Sequence, residues 1–336
     1  MDMTASTIDR GYVDPRPRRK TLSQDREKNP RCAAECGEKA RFAIFMSEFL
    51  AIHANGNRVP GTRGRMSAPR WIFRASGRLA VGAMLWLFAL AGAHAETIHV
   101  TYSVSLVGLP IGIANLEANL TQSTYTIDAH AKISGLAYLF SRARGASTGR
   151  GAIIENRVVP ATFATIASNA SMTRTIRMSL SANAVTGVDI TPPFDDKPDR
   201  VPLTEHDKQG VVDPVGAVVV PVPAKGPLVG PASCDRKIPV FDGYTRFDID
   251  LSYVGQRDVS AKGYKGPVAV CAIRYVPVAG HRRDRPSTKF MADNKDLEVW
   301  LAPVASAHVL LPFRVSARTM MGTAVIEASE FNIAGE

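Results

Sequence analysis

The chain is 336 residues long, 45% hydrophobic, with a formal net charge of +10 and 4 cysteines. The excess charge lies early. Residues 1–65 carry 13 Lys+Arg against 8 Asp+Glu, residues 66–95 carry three arginines and no acid, and residues 96–336 carry 25 against 23. The nearly neutral body lacks the broad basic face that phosphate contacts need, so no nucleic-acid partner is expected.

Residues 1–65 are polar, charged and aperiodic for most of their length, as in "RPRRKTLSQDREKNPRCAAECGEKAR". They read as a disordered tail or as an over-extended start, with synthesis beginning at Met66. Cys32 and Cys36 have metal-like spacing, but no second pair or histidine partner follows. They are read as incidental, and no metal or cofactor is expected.

Residues 66–95 carry three signals in order. Arg70, Arg74 and Arg78 form a basic flank, Leu79–Ala91 is an apolar run, and Ala93-His94-Ala95 places small residues ahead of Glu96. The run is shorter than the roughly 20 residues of a bilayer span. A signal peptide cleaved between Ala95 and Glu96 is therefore expected. It sends the body to the periplasm, and the inner membrane is met only in transit. If the extension is translated, a signal-anchor using Leu79–Ala91 is the alternative. Export also sets the reading of Cys234 and Cys271. An even pair in an oxidising compartment predicts one disulfide, with two buried free thiols as the alternative.

From Glu96 the apolar period is two. Ile98, Val100, Tyr102, Val104 and Leu106 alternate with polar residues in "TIHVTYSVSLVG". "GLPIG" reads as a turn, and "IGIANLEANLTQS" and "TYTIDAHAKIS" continue an antiparallel meander. In "SGLAYLFSRARG", Leu136, Leu139 and Phe140 are three and four apart, which predicts a short helix or turn laid over the sheet. Four strand patterns follow up to Pro192. Residues 194–210 read as a loop. "VVDPVGAVVVPVP" suits a short helix with Asp213 as N-cap and Pro214 at the first position, although Val218–Val220 equally suit a strand. Six further strand patterns fill the C-terminal part, punctuated by Gly243, Gly255, Gly266 and Gly280.

These elements predict a mainly β fold over residues 96–334. A large curved antiparallel sheet or half-open barrel, with one or two short helices, forms a single domain.

The chemistry-bearing residues are sparse. The histidines stand singly, and no G-x-S-x-G elbow or zinc-protease motif is present. Asp242-Gly243 is a tight-turn signal, and Arg246 is placed to pair with Asp242, Asp248 or Asp250. "GHRRDR", residues 280–285, is a basic loop that suits an exposed turn or an anionic headgroup.

"YSVSLVGLPIGIANLEANL", "CDRKIPVFDGYTRFDIDL", "VAVCAIRYVPVAGHR" and "LPFRVSARTMMGTAVIE" together resemble the exported bacterial family known as domain of unknown function 3108. The G-L-P-I-G and V-F-D-G-x-x-R pieces carry most of the resemblance. It implies a strongly curved antiparallel sheet, similar in architecture to the outer-membrane lipoprotein carriers.

The functional expectation is a non-enzymatic periplasmic protein that binds a lipid or other apolar envelope component. Leu116 would line its cavity, and Leu136 and Phe140 would form a lid. The alternative is an envelope assembly partner acting through a sheet edge. A third reading, an envelope hydrolase, would need paired acids such as Asp248 with Asp250 or Asp242 with Glu298.

Overall fold

A computed structural model describes residues 95–334 of the chain. The tail at 1–65 and the leader expected over 66–95 lie outside the described residues, apart from Ala95, and so do Cys32 and Cys36. Glu96 opens the first strand.

Two meanders build the fold. The first runs through β1 (Glu96–Leu106), β2 (Leu109–Leu120), β3 (Thr124–Ile133), β4 (Arg144–Ile154), β5 (Arg157–Ser168), β6 (Thr173–Ser181) and β7 (Ala184–Thr191). The second runs through β9 (Arg236–Phe241), β10 (Arg246–Ala261), β11 (Tyr264–Ala279), β12 (Leu297–Val304), β13 (Val309–Thr319) and β14 (Gly322–Ala334). A two-residue strand, β8 (Val220–Pro221), lies between them, and one α-helix, α1 (Pro286–Asp293), precedes β12. Antiparallel pairing of β1 with β14 joins the meanders into one 14-stranded sheet, ordered β7-β6-β5-β4-β3-β2-β1-β14-β13-β12-β11-β10-β9 with β8 attached to β13. The ends β7 and β9 are not bonded to each other, so the sheet is curved and open rather than a closed barrel.

Local chemistry explains the hairpins. Val107-Gly108, Glu155-Asn156 and Ala182-Asn183 all have positive φ at both positions. Two-residue turns of this kind match the right-handed twist of the flanking strands. The first hairpin therefore turns at Val107-Gly108, and Pro110 of the expected "GLPIG" turn already belongs to β2. Gly255 and Gly266, expected between strands, lie inside β10 and β11, with a register shift between Tyr253 and Gly255. A bulge bends a long strand without ending it.

The rolled sheet brings its two ends together at Gly243. The φ of Gly243 is +96°, and a Cβ there would lie 2.6 Å from Ile176 Cγ2 on β6. Gly243→Val is expected to cost about 2 kcal/mol or more, from strained backbone and overpacking together. Urea denaturation beside the wild-type protein measures it.

The concave side is filled. Val211, Val212, Val215 and Val219 share one buried cluster with Ile98, Leu120, Tyr125, Ile127 and Phe163 of the first meander. The segment before β8 thus runs through the interior as a strap. β4 is hollowed to admit it: a Cβ on Gly149 would lie 2.9 Å from the Val215 side chain. β8 then pairs with Val309 and Leu310, where β13 is free of β14, and the chain reaches a second apolar cluster.

Candidate functional site

The most buried polar group on the strap is Asp213, fully removed from solvent. Its Oδ1 accepts the backbone N–H groups of Val215 and Gly216, each at 2.9 Å. Tyr125 Oη on β3 donates to Oδ2 at 3.5 Å. Burial pushes the Asp213 carboxyl up to about 6, against the opposing pull of the two backbone donors. The same burial, with Asp213 beside it, raises the Tyr125 phenol well above its ordinary value. Asp213 caps a turn as its sequence position implies, but the helix that follows is a single 3-10 turn, Gly216–Val218, and Val220 passes into β8.

The Asp242-Gly243 turn joins β9 to β10. Asp242 Oδ1 accepts from Tyr244 N at 2.8 Å and Thr245 N at 2.6 Å, and the Thr245 hydroxyl donates to its other oxygen. Burial raises the Asp242 carboxyl above the usual range. Among the three expected acids, Arg246 selects Asp248, at 2.5 Å, and it also donates to the Phe247 carbonyl. Lys237 on β9 reaches Asp248 at 3.1 Å and Asp250 at 3.5 Å, which places both carboxylates on one strand face as alternation requires. Asp248 is thus paired from two sides. Glu298 accepts from the indole N–H of Trp300 at 2.6 Å.

The 194–210 loop is held against this turn by stacked side chains. Arg174 lies 3.9 Å over the Phe194 ring, Phe194 lies 4.0 Å from Tyr244, and Arg200 lies 3.8 Å over Tyr244. Arg200 also donates to the carbonyls of Gly280 and Tyr244. An open depression of about 420 Å³ beside it is lined by Asp196, Lys197, Pro198, Arg200, Val201 and Pro202. Within "GHRRDR", Arg282 donates to both oxygens of Asp199, at 2.9 and 3.1 Å, and holds that carboxyl below its usual range. The expected loop is therefore tied by an ion pair, and α1 begins directly after it. The Arg285-Pro286 step is the signal for that helix, since proline is favoured at the first helical position.

The apolar candidates divide. Leu116 is core, 8% exposed, with its neighbours on the concave face. Leu136, Leu139 and Phe140 are 79%, 76% and 91% exposed. The segment does contain the expected short turn, a 3-10 helix at Gly135–Leu139, but it buries none of its residues. The expected lid is therefore wrong: spacing of three and four marks one face of a turn, and here that face points outward.

Cys234 and Cys271 form the expected disulfide, with Cα atoms 5.5 Å apart. Among the described residues no group of three or more His, Cys, Asp or Glu is placed to hold a metal ion. No helix among them is long and apolar enough to cross a membrane.

A rolled, open antiparallel shell, filled by its own chain and with its buried carboxylates tied into turns and ion pairs, defines a barrel-like β protein. The chain belongs to the DUF3108 family, described as a protein of unknown function, which it matches over residues 100–329. Among solved structures it is similar to a β-barrel-like protein of domain of unknown function DUF1849 from Brucella abortus. The identity is 11% and the TM-score 0.44, over 71% of this chain and 98% of that one. No curated protein matches the chain.

Proposed function

We propose that this protein is a non-enzymatic component of the bacterial cell envelope, exported to the periplasm, that holds a protein partner at its surface. The observation that carries the reading is the strap. Val211, Val212, Val215 and Val219 occupy the concave side where an apolar cargo would otherwise sit. This favours the assembly role over the carriage of a lipid inside the shell. The leader pattern read in the sequence over residues 66–95 and the Cys234–Cys271 bond are both compatible with export, since disulfides persist in oxidising compartments.

β7 is the place on the sheet where a partner strand fits. It is the last strand of the order, and β6 pairs with one side of it. Gly187 lies mid-strand with nothing within 4 Å of its Cβ position, so the sheet face is clear at that point. An extended segment of another protein can add to such an edge through main-chain hydrogen bonds.

The test is photo-cross-linking in cells. A photoreactive side chain at Thr186 in β7 is expected to capture one discrete protein, whereas the same group at exposed Thr148, in the middle of the sheet, captures none. Native mass spectrometry after mild extraction supplies the opposite outcome. A stoichiometric lipid on the purified protein, with no cross-linked partner, replaces assembly by cargo binding.

A further inference from the structure

Three turns meet at one end of the shell. The β1–β2 turn carries Val107 and Leu109, the β3–β4 connection carries Leu136, Tyr138, Leu139 and Phe140, and the β13–β14 turn carries Met320 and Met321. All eight side chains are exposed. The turns are in contact rather than scattered. Val107 N donates to the Thr323 carbonyl at 2.8 Å, and Ser134 N donates to the Ile111 carbonyl at 3.0 Å. A Cβ on Gly322 would meet Val107 Cγ2 at 2.4 Å. The outcome is a continuous apolar rim made of protruding tips. Single exposed apolar residues are ordinary, but a contiguous group of large ones marks an interaction site.

Charge identifies the occupant. Lys132, Arg142 and Arg144 flank the β3–β4 tip and are exposed, and no carboxylate occurs from Lys132 to Arg150. The other two tips are uncharged between Leu106 and Leu109 and between Thr319 and Gly322. Arg318 beside them pairs with Asp296. Arg142 lies 5.5 Å over the Tyr138 ring, an aromatic with an apolar body and a polar tip. One apolar tip flanked by cations, with an aromatic at its boundary and two uncharged apolar tips beside it, matches the layers of an anionic bilayer surface: acyl chains, interface and headgroups.

We infer that this rim docks the protein onto an anionic lipid membrane, with Leu136, Leu139 and Phe140 entering the interface and Lys132, Arg142 and Arg144 meeting the headgroups. The inference goes beyond the partner-binding edge, which lies on a different part of the sheet and rests on different residues. The docking is peripheral and reversible, because a few side chains enter and no segment crosses.

The experiment uses the full chain with vesicles of phosphatidylcholine alone or of equimolar phosphatidylcholine and phosphatidylglycerol. In a Phe140→Trp protein, the added indole is expected to shift to the blue on anionic vesicles and to be quenched by brominated lipid, after subtraction of the wild-type signal. This local probe separates the rim from any other apolar part of the chain. Leu136→Ser with Phe140→Ser is expected to weaken binding by about tenfold or more. Exchange of Lys132, Arg142 and Arg144 for Gln weakens binding to the anionic vesicles by about fivefold per side chain and leaves the neutral vesicles unaffected. Because all five positions are exposed, unchanged circular dichroism verifies that folding is intact. An indole emission that ignores both vesicle types overturns the inference. So does a concentration-dependent dimer that the Leu136→Ser, Phe140→Ser protein cannot form, which would assign the rim to a second copy of the chain.

Discussion

Replacement of Asp213 by Ala is expected to destabilise the fold by about 3 kcal/mol, the largest effect of any single polar substitution in the body. The carboxylate satisfies the N–H groups of Val215 and Gly216 in a place without solvent. A methyl group leaves both donors buried and unpaired, at roughly 1–3 kcal/mol each. It also frees the turn that seats Val215 and Val219 among the inner-face residues. The loss is read as a lower urea midpoint at pH 4, where the carboxyl is protonated, and it shrinks as pH rises past about 6 because only the wild type then carries a buried charge.

Asn at the same position gives the opposite result at neutral pH. Its carbonyl keeps both backbone donors, and its amide N–H points at Tyr125 Oη, which then accepts. Burial moves the Asp213 carboxyl from its ordinary 3.8 up to about 6 in the folded protein. Below 3.8 both states hold the proton and the carboxyl has no pH effect. Between 3.8 and 6 the unfolded chain has lost the proton and the folded chain still holds it, so stability falls as pH rises. Above 6 the loss is complete, at about 3 kcal/mol. Asp213→Asn removes this fall. Its stability relative to wild type is expected to rise from near zero at pH 4 to about 2–3 kcal/mol at pH 7.5. A difference that stays flat over that range contradicts the buried, raised carboxyl.

Fold and candidate site were legible to different depths. Alternation in β1 to β3 and the turn at Asp242-Gly243 are local properties, and the structure contains both where the residues place them. The disulfide followed from an even cysteine count joined to a compartment argument. The strap was not legible. "VVDPVGAVVV" suits a helix or a strand equally, and nothing near it says that Gly149, more than sixty residues earlier, leaves room for Val215. Leu136, Leu139 and Phe140 failed for a related reason. Periodicity reports that one side of a turn is apolar but not what stands opposite, and here nothing described does. An inner face read as the lining of a cavity and an inner face read as core have the same alternation. Only the long-range placement of the strap separates them.

Loss of the Cys234–Cys271 bond is the other large effect, expected to cost about 4 kcal/mol. The two cysteines are 37 residues apart in sequence, and closing a loop of that length restricts the unfolded chain by about this amount in the chain-entropy model. The local consequence is as specific as the global one. Both cysteines are fully buried in the second apolar cluster, with Val220, Val222, Leu251, Ala269, Val299, Leu301 and Leu310. Leu228 and Val229, from the connection between β8 and β9, pack onto that cluster as well. The bond holds this connection on the β11 face, where Ser233 also accepts from Gly230 N and donates to the Leu228 carbonyl. Cys234→Ala with Cys271→Ala keeps the apolar volume nearly whole and removes the tether. The urea midpoint is expected to fall and the m-value to rise, because an untethered unfolded chain exposes more surface. Trypsin is expected to cut sooner after exposed Lys225, well before the sheet opens. If reduction leaves both the midpoint and this cleavage unchanged, the hydrogen bonds of the connection suffice to hold it and the bond adds no stability.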